Sequence, residues 1–355
     1  MGKSKYNSNS QINNFEEYLR QGEPNKVEKA KVWKTAIGLQ QVDGLEPSDY
    51  LISTAKQNIE GNISIVEVKH RIDSYYKQHP VKNSESRTEE ADKVSARIAE
   101  ILSEQTFTFS PAEYLSIHRR LFQGIYSHAG KMRDYNITKQ EWVLNSETVL
   151  YASAQSLKAT LEYDFEQEKK FSFKGLSQQE IIEHIAHFIS YLWQIHIFGE
   201  GNTRTTAIFL IKYLRKLGFK EVNNDMFAEY SWYFRNTLVR ANYEDLSKDI
   251  HKTEKYLILF LSNLLLGENH SLKNREMHVK YIDTIKSVND TVNDTVNDTV
   301  FNLIKRNNMI TSSEISLQLK ISLSTAKRKI KELKESGKIE RIGSDKTGHW
   351  KITEN

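Results

Sequence analysis

The groups best able to do chemistry stand together in one run, His196-Ile197-Phe198-Gly199-Glu200-Gly201-Asn202-Thr203-Arg204-Thr205. Gly199 and Gly201 let the backbone come close to a ligand. The sequence that follows is helical, so Gly201, Asn202 and Thr203 stand where a helix begins. Unpaired N–H groups and the positive end of the helix dipole make that place suited to anions. Arg204 adds a planar fork for phosphate oxygens, and Asn202 adds a side-chain donor. Glu200 is the odd member, because a carboxylate beside a phosphate cradle repels it unless a divalent cation lies between. Mg²⁺ bridging one carboxylate and phosphates is the usual arrangement. His196, with an ordinary pKa of about 6.5, can serve as general base toward a hydroxyl nucleophile. Base, metal ligand and phosphate cradle so close together point to phosphoryl or nucleotidyl transfer.

The elements around the run must hold it in place. Upstream, Ile181, Ile185, Phe188, Ile189, Leu192 and Trp193 fall on one face of a helix over 180–195. Downstream, residues 203–217 are apolar almost all round, which predicts a helix at the centre of a bundle, ended by Gly218. Residues 89–270 are helical nearly throughout. The exception is 137–151, where Asn145-Ser146 lies between two β-prone runs and predicts an inserted hairpin. Residues 1–25 are polar and read as a flexible lead. Residues 26–88 predict short helices, stopped at Gly44, restarted by Ser48 or Asp49 as cap, and broken at Gly61. Residues 271–299 form a linker in which VNDT occurs three times, read as a spacer. Residues 300–355 give helix, helix, helix and two short strands, the winged-helix order. Its third helix, 324–335, carries Lys327, Arg328, Lys329, Lys331 and Lys334, a set suited to DNA. The fold class is mainly α: a helical bundle with a β-hairpin flap, and a small C-terminal winged-helix domain.

Composition excludes several classes. The chain has 355 residues, 27% charged and 38% hydrophobic, with no cysteine. That rules out disulfide frameworks, thiolate zinc sites and a cysteine nucleophile. No apolar run is long enough to span a bilayer and no export signal is visible, so the expected compartment is the cytoplasm, with no membrane partner. The net charge is +4, but residues 301–355 alone carry a surplus of +6, so the basic character lies in the C-terminal unit.

The run at 196–207 resembles the signature of the Fic family, His-x-Phe-x-(Asp/Glu)-Gly-Asn-Gly-Arg-x-x-Arg. Fic proteins mostly transfer AMP from ATP to a Tyr, Thr or Ser hydroxyl of a protein. The resemblance implies His196 as base, Glu200 as Mg²⁺ ligand, and Asn202, Arg204 and the backbone of Gly201 and Thr203 as holders of the phosphates, with Phe198 a buried anchor. Two positions depart from the signature: Thr203 replaces the third glycine, and Ala207 replaces the second arginine, which in the family holds the terminal phosphate. Residues 112–139, including Ala129-Gly130-Lys131-Met132-Arg133, resemble the helix and loop before the Fic flap. The flap itself would be the hairpin, with Thr138, Lys139, Val143 and Leu144 docking the target strand. Leu238-Val239-Arg240-Ala241-Asn242-Tyr243 resembles the border of the adenine pocket, which implies Asn242 and Tyr243 on the base.

Fic proteins are often held off by a segment whose Glu pairs with the second signature arginine. Leu39-Gln40-Gln41-Val42-Asp43-Gly44 resembles that segment, with Asp43 in place of the Glu. Since Ala207 replaces the arginine, Asp43 needs another partner, such as Arg204. Glu60-Gly61-Asn62 is a second, lower-ranked candidate. His184 and His187, with His196, could be read as a zinc triad, but their spacing on a packed helix favours core histidines. Two functions follow. The first is a protein adenylyltransferase using Mg²⁺ and ATP on a target protein, itself included, and self-inhibited at its N-terminus; another transferred group, or AMP removal, stays within that class. The second is a winged-helix DNA-binding regulator whose Fic part senses nucleotide. A homodimer is compatible with either.

Overall fold

The computed structural model describes residues 15–80, 87–219, 222, 225–282, 300, 301, 303–319, 323–343 and 349–353. The VNDT repeats and residues 344–348 of the expected wing lie outside these. The chain divides into two compact units, residues 1–279 and 280–355.

The first unit is helical. Its elements are α1 (Glu16–Gln21), α2 (Pro24–Gly38), α3 (Asp49–Ile59), α4 (Ile65–Gln78), α5 (Thr88–Ser103), α6 (Pro111–Phe122), α7 (Leu157–Lys170), α8 (Gln178–Ile195), α9 (Asn202–Lys216), α10 (Asp225–Ala241), α11 (Lys255–Leu266) and α12 (Asn274–Met277). The cap expected at Ser48 is in place, and α8 starts on a cap outside those expected. Ser48 accepts from the Leu51 N–H at the start of α3, and Ser177 with Glu180 forms a capping box at the start of α8. α9 is buried on nearly every side, from Asn202 through Leu214, so it is the axis on which the bundle is built. Such a helix cannot shift without disturbing all its neighbours, which fixes the residues at its N-terminus.

The N-terminal segment is part of this core. Trp33, Ala36, Ile37 and Leu39 join the same apolar cluster as Phe198 and Ile208. The expected flexible lead is corrected in part: Phe15 is fully buried, and Glu16 on α1 pairs with the buried Lys34. α2 ends in a 3₁₀ turn, Leu39–Asp43, and Gly44 then adopts a left-handed conformation. Gly38 lies against the backbone of Ala228 on α10, where a Cβ would stand 2.4 Å from the Ala228 Cα. Only glycine permits that closeness.

Residues 137–151 double back, with the Glu141 N–H bonded to the Glu147 carbonyl, but they form no strand. Trp142–Leu144 is a 3₁₀ turn, and Asn145 and Ser146 are both left-handed. Val143 and Leu144 are fully buried, so the expectation that they offer an exposed docking edge is corrected. Their β-prone side chains serve the core instead. Thr138 is exposed and Lys139 half-buried.

The second unit has its own core of Val300, Ile304, Ile310, Ile315, Ala326, Ile330, Leu333 and Ile339. α13 (Ser312–Leu319) is capped by Thr311 and Glu314. α14 (Leu323–Glu335) follows, then β1 (Ile339–Ile342) pairs antiparallel with β2 (His349–Ile352), Ile339 opposite Ile352. Among the described residues this is the one sheet.

Candidate active site

His196 ends α8 in a left-handed conformation (φ 49°, ψ 54°), unusual for a non-glycine residue and a mark of local constraint. Arg133 supplies the constraint. Its Nε donates to the His196 carbonyl at 2.8 Å, and its other nitrogens reach the carbonyls of Tyr135, Ala152 and Ile195. One guanidinium thus ties the doubled-back segment to the end of α8. The His196 ring is 3% exposed and packs against Tyr151, ring centres 4.2 Å apart, and edgewise against Trp193. Neither ring nitrogen has a hydrogen-bond partner among the described residues. Burial, then the charges of Lys139, Arg235 and Arg133, push the imidazole well below its ordinary value. The ring is therefore neutral, with a nitrogen lone pair unspent, as a general base requires.

The loop between α8 and α9 is closed by its own residues. The Asn202 side chain accepts from the Phe198 N–H at 3.0 Å and donates to the Phe198 carbonyl at 2.8 Å. Its amide therefore shapes the loop, which leaves the backbone N–H groups at the start of α9 as the donors an anion could meet. Gly201 precedes α9 with φ 78°, and a Cβ there would lie 2.4 Å from the Phe122 ring. The first N–H groups of α9, at Asn202, Thr203 and Arg204, have no acceptor within their own helix. A Gly201→Ala substitution combines left-handed strain with overpacking and will cost about 2–4 kcal/mol; urea unfolding of the full chain checks this.

His118, which the sequence pattern does not single out, pins the loop from below. The Gly130 N–H donates to its Nδ1 at 2.8 Å, so Nε2 carries the proton and donates to the Glu200 carbonyl at 3.0 Å. Phe198 stacks on it with ring centres 3.6 Å apart. Burial, then the neighbouring His128 and Arg204, lower its pKa to about 3. In the unfolded chain it titrates near 6.5, so the unfolded state binds the extra proton between those values. Stability from this residue is complete above about pH 6.5 and declines by up to about 1.4 kcal/mol per unit as pH falls toward 3. Urea midpoints measured across that range will show the decline, and His118→Gln will flatten it.

Glu200 is exposed, and its Oε2 lies 2.9 Å from Lys139 Nζ. Among the described residues no group of three or more His, Asp or Glu could hold a metal ion. A cation here would thus rest on one carboxylate, phosphate oxygens and water, a donor set that fits Mg²⁺. His184 pairs with Glu168, and His187 with Glu254.

Arg204 is fully buried. Its Nη2 lies 2.8 Å from Asp43 and 2.7 Å from Glu90, its Nη1 donates to Gln40 at 3.0 Å, and its guanidinium lies over the Phe122 ring. Asp43 and Arg204 are thus brought together. Glu60 lies elsewhere, paired with Lys26. Glu90, Gln40 and Tyr126 are additions that sequence pattern does not reveal. Burial alone would raise the Glu90 carboxyl, but Arg204, Tyr126 and Arg87 outweigh it and hold it below the usual range. Burial likewise works against the Arg204 charge, and Asp43, Tyr126 and Glu90 override it.

Of the two residues expected on the adenine, Asn242 is buried, with its Nδ2 bonded to the carbonyls of Ser190 and Leu238. It ties α8 to α10. Tyr243 is 9% exposed. On α14, Lys327, Arg328, Lys331 and Lys334 are exposed, whereas Lys329 is buried and paired with Glu332. Among the described residues no helix is long and apolar enough to cross a membrane.

Residues 108–214 match the model of the Fic/DOC family, and residues 300–340 match that of a winged helix-turn-helix described as DNA-binding. The chain carries a Fic domain and a winged helix. Over 103 residues it is 29% identical to the protein adenylyltransferase VbhT of Bartonella schoenbuchensis, a stretch covering 29% of this chain and 20% of that one. The chain thus spans about a fifth of the length of that curated relative. A crystal structure of a Fic family protein from Desulfovibrio desulfuricans G20 aligns over 100% of this chain and 97% of that one, with 13% identity and a TM-score of 0.44.

Proposed function

We propose that this site transfers AMP from Mg²⁺-bound ATP to a side-chain hydroxyl of a protein, and that the N-terminal segment restrains it through Arg204. The observation that carries this reading is a buried, neutral His196 with an unspent ring nitrogen, beside the N-terminus of α9 and an exposed carboxylate, Glu200, paired through its Oε2 with Lys139. The backbone N–H groups at Asn202–Arg204 bind phosphate oxygens. His196 takes the proton of the incoming hydroxyl, whose oxygen forms a bond to the α-phosphorus as the bond to the β-phosphate oxygen breaks and pyrophosphate leaves. Glu200 holds the cation, which offsets phosphate charge when bound. Lys139 then gives up Glu200 and is available to the phosphates or the target. Label transferred from α-³²P-ATP but not from γ-³²P-ATP supports this reading; label transferred only from the γ position contradicts it.

In the resting arrangement Asp43, Glu90 and Gln40 together take up the Arg204 guanidinium, so it is not presented to a nucleotide. Movement of the 39–43 turn would release one carboxylate and the amide at once.

The match of residues 300–340 and the exposed basic face of α14 support a second reading, DNA binding by the winged unit. Duplex affinity of the full chain will fall with salt. Replacing Lys327, Arg328, Lys331 and Lys334 by alanine will lower the slope of log affinity against log salt by about 0.9 for each phosphate that a side chain no longer neutralises. Equal slopes for the two proteins would exclude α14 as the DNA-facing element.

A further inference from the structure

Thr203 stands where the Fic signature has glycine, and its hydroxyl is not idle. The Trp193 indole N–H donates to Thr203 Oγ1 at 3.0 Å, inside the protein. Trp193 is 1% exposed and Thr203 6%. The same indole stands edge-on to the His196 imidazole, ring centres 5.2 Å apart at 87°. On its other side His196 meets Tyr151, which also touches Trp193, ring centres 5.9 Å apart. The ring nitrogens of His196 lack hydrogen bonds among the described residues, so its orientation is set by these two aromatic walls. Tyr151 is itself fixed by its hydroxyl on Glu141, which pairs with Arg235. Trp193 is fixed through its one polar atom, and Thr203 provides the acceptor.

We infer that Thr203 is a positioning residue: its hydroxyl sets the rotamer of Trp193, and Trp193 sets the imidazole of His196 against the hydroxyl it must deprotonate. A glycine at 203 would leave the buried indole N–H without an acceptor and free to turn. The base and the N-terminus of α9 are thereby coupled through side chains as well as through the loop backbone, since Thr203 is the second residue of α9. This rests on the proposed general-base role of His196. Misplacement of a base by about 1 Å can cost about 10²-fold in rate.

Thr203→Val keeps the shape and removes the acceptor; Thr203→Ser restores it. The backbone N–H at 203 survives in both, so ATP binding should not change. Valine will lower kcat about 10- to 100-fold with KM for ATP near that of the wild type, and serine will recover most of kcat. Long-range ¹H–¹⁵N spectra of the histidine rings, recorded on the unliganded chain, will show the His196 signal displaced in the valine protein and restored in the serine protein. A wild-type His196 signal in Thr203→Val, or serine behaving as valine does, overturns the inference. Should the valine protein not fold, Trp193→Phe removes the donor from the other side and is expected to displace the same signal; an undisplaced signal overturns the inference. The spectra need no turnover, so failure of transfer in every protein would count against the proposed activity while the ring signals still decide the role of Thr203.

Discussion

His196→Asn will abolish measurable transfer, lowering the rate by about 10²–10⁴-fold, the usual worth of a positioned general base, while leaving the fold intact. Asparagine is the suitable replacement because residue 196 is left-handed, a conformation asparagine tolerates and alanine resists. The substitution breaks no side-chain hydrogen bond, since neither ring nitrogen has a partner among the described residues. The cost to stability is confined to packing against Tyr151 and Trp193. Circular dichroism and a urea midpoint close to those of the wild type, together with loss of transfer, separate chemistry from folding. Retained transfer would remove His196 from the mechanism.

Asp43→Ala will raise the transfer rate about 10- to 100-fold. The basis is the coupling of a close, partly desolvated charge pair, about 1.5 kcal/mol or more, with each 1.4 kcal/mol a factor of ten. The gain is limited because Gln40 and Glu90 still reach Arg204. Glu90 also keeps the guanidinium paired, so the variant stays folded. Two alternative probes are less clean. Arg204→Ala would take from the buried Glu90 one of its two cationic partners and from Gln40 its donor, so a loss of activity would be mixed with a loss of stability. Truncation of the N-terminal segment would strip Trp33, Ile37 and Leu39 from the core. Initial rates of Asp43→Ala and wild type, measured at saturating ATP, check the prediction; an unchanged rate would show that Asp43 does not restrain the site.

The loop and its flanking helices are legible in the sequence because each rests on local pattern: apolar spacing on α8, the all-apolar α9, and glycines at Gly44 and Gly201, as is the Ser48 start of α3. Asp43 as a partner of Arg204 follows from pairing two departures, one at each end of an expected ion pair. What local pattern does not reveal lies in long-range pairing. Glu90, Gln40 and Tyr126 meet Arg204 across 114, 164 and 78 residues, and no local signal marks an acidic residue near the start of α5 as different from any other. His118 reads as one more position on an amphipathic helix until Gly130 and Glu200 appear on its two nitrogens. The segment at 137–151 misleads for a physical reason. Its β-prone residues are branched and apolar because Val143 and Leu144 fill the core from a 3₁₀ turn, and composition does not separate that from a strand. Phe15 is hidden in the same way, a single aromatic anchor in polar surroundings.

The central claim is that the loop at 196–204 performs nucleotidyl transfer with His196 as base. Intact-mass spectrometry after incubation with Mg²⁺ and ATP tests it most directly, with Asp43→Ala compared against Asp43→Ala combined with His196→Asn, and the protein's own hydroxyls or an added lysate as acceptor. The account predicts that a protein gains the mass of one or more AMP groups with Asp43→Ala, and no gain when His196 is replaced. An equal gain in both, or a gain of phosphate in place of AMP, would contradict it.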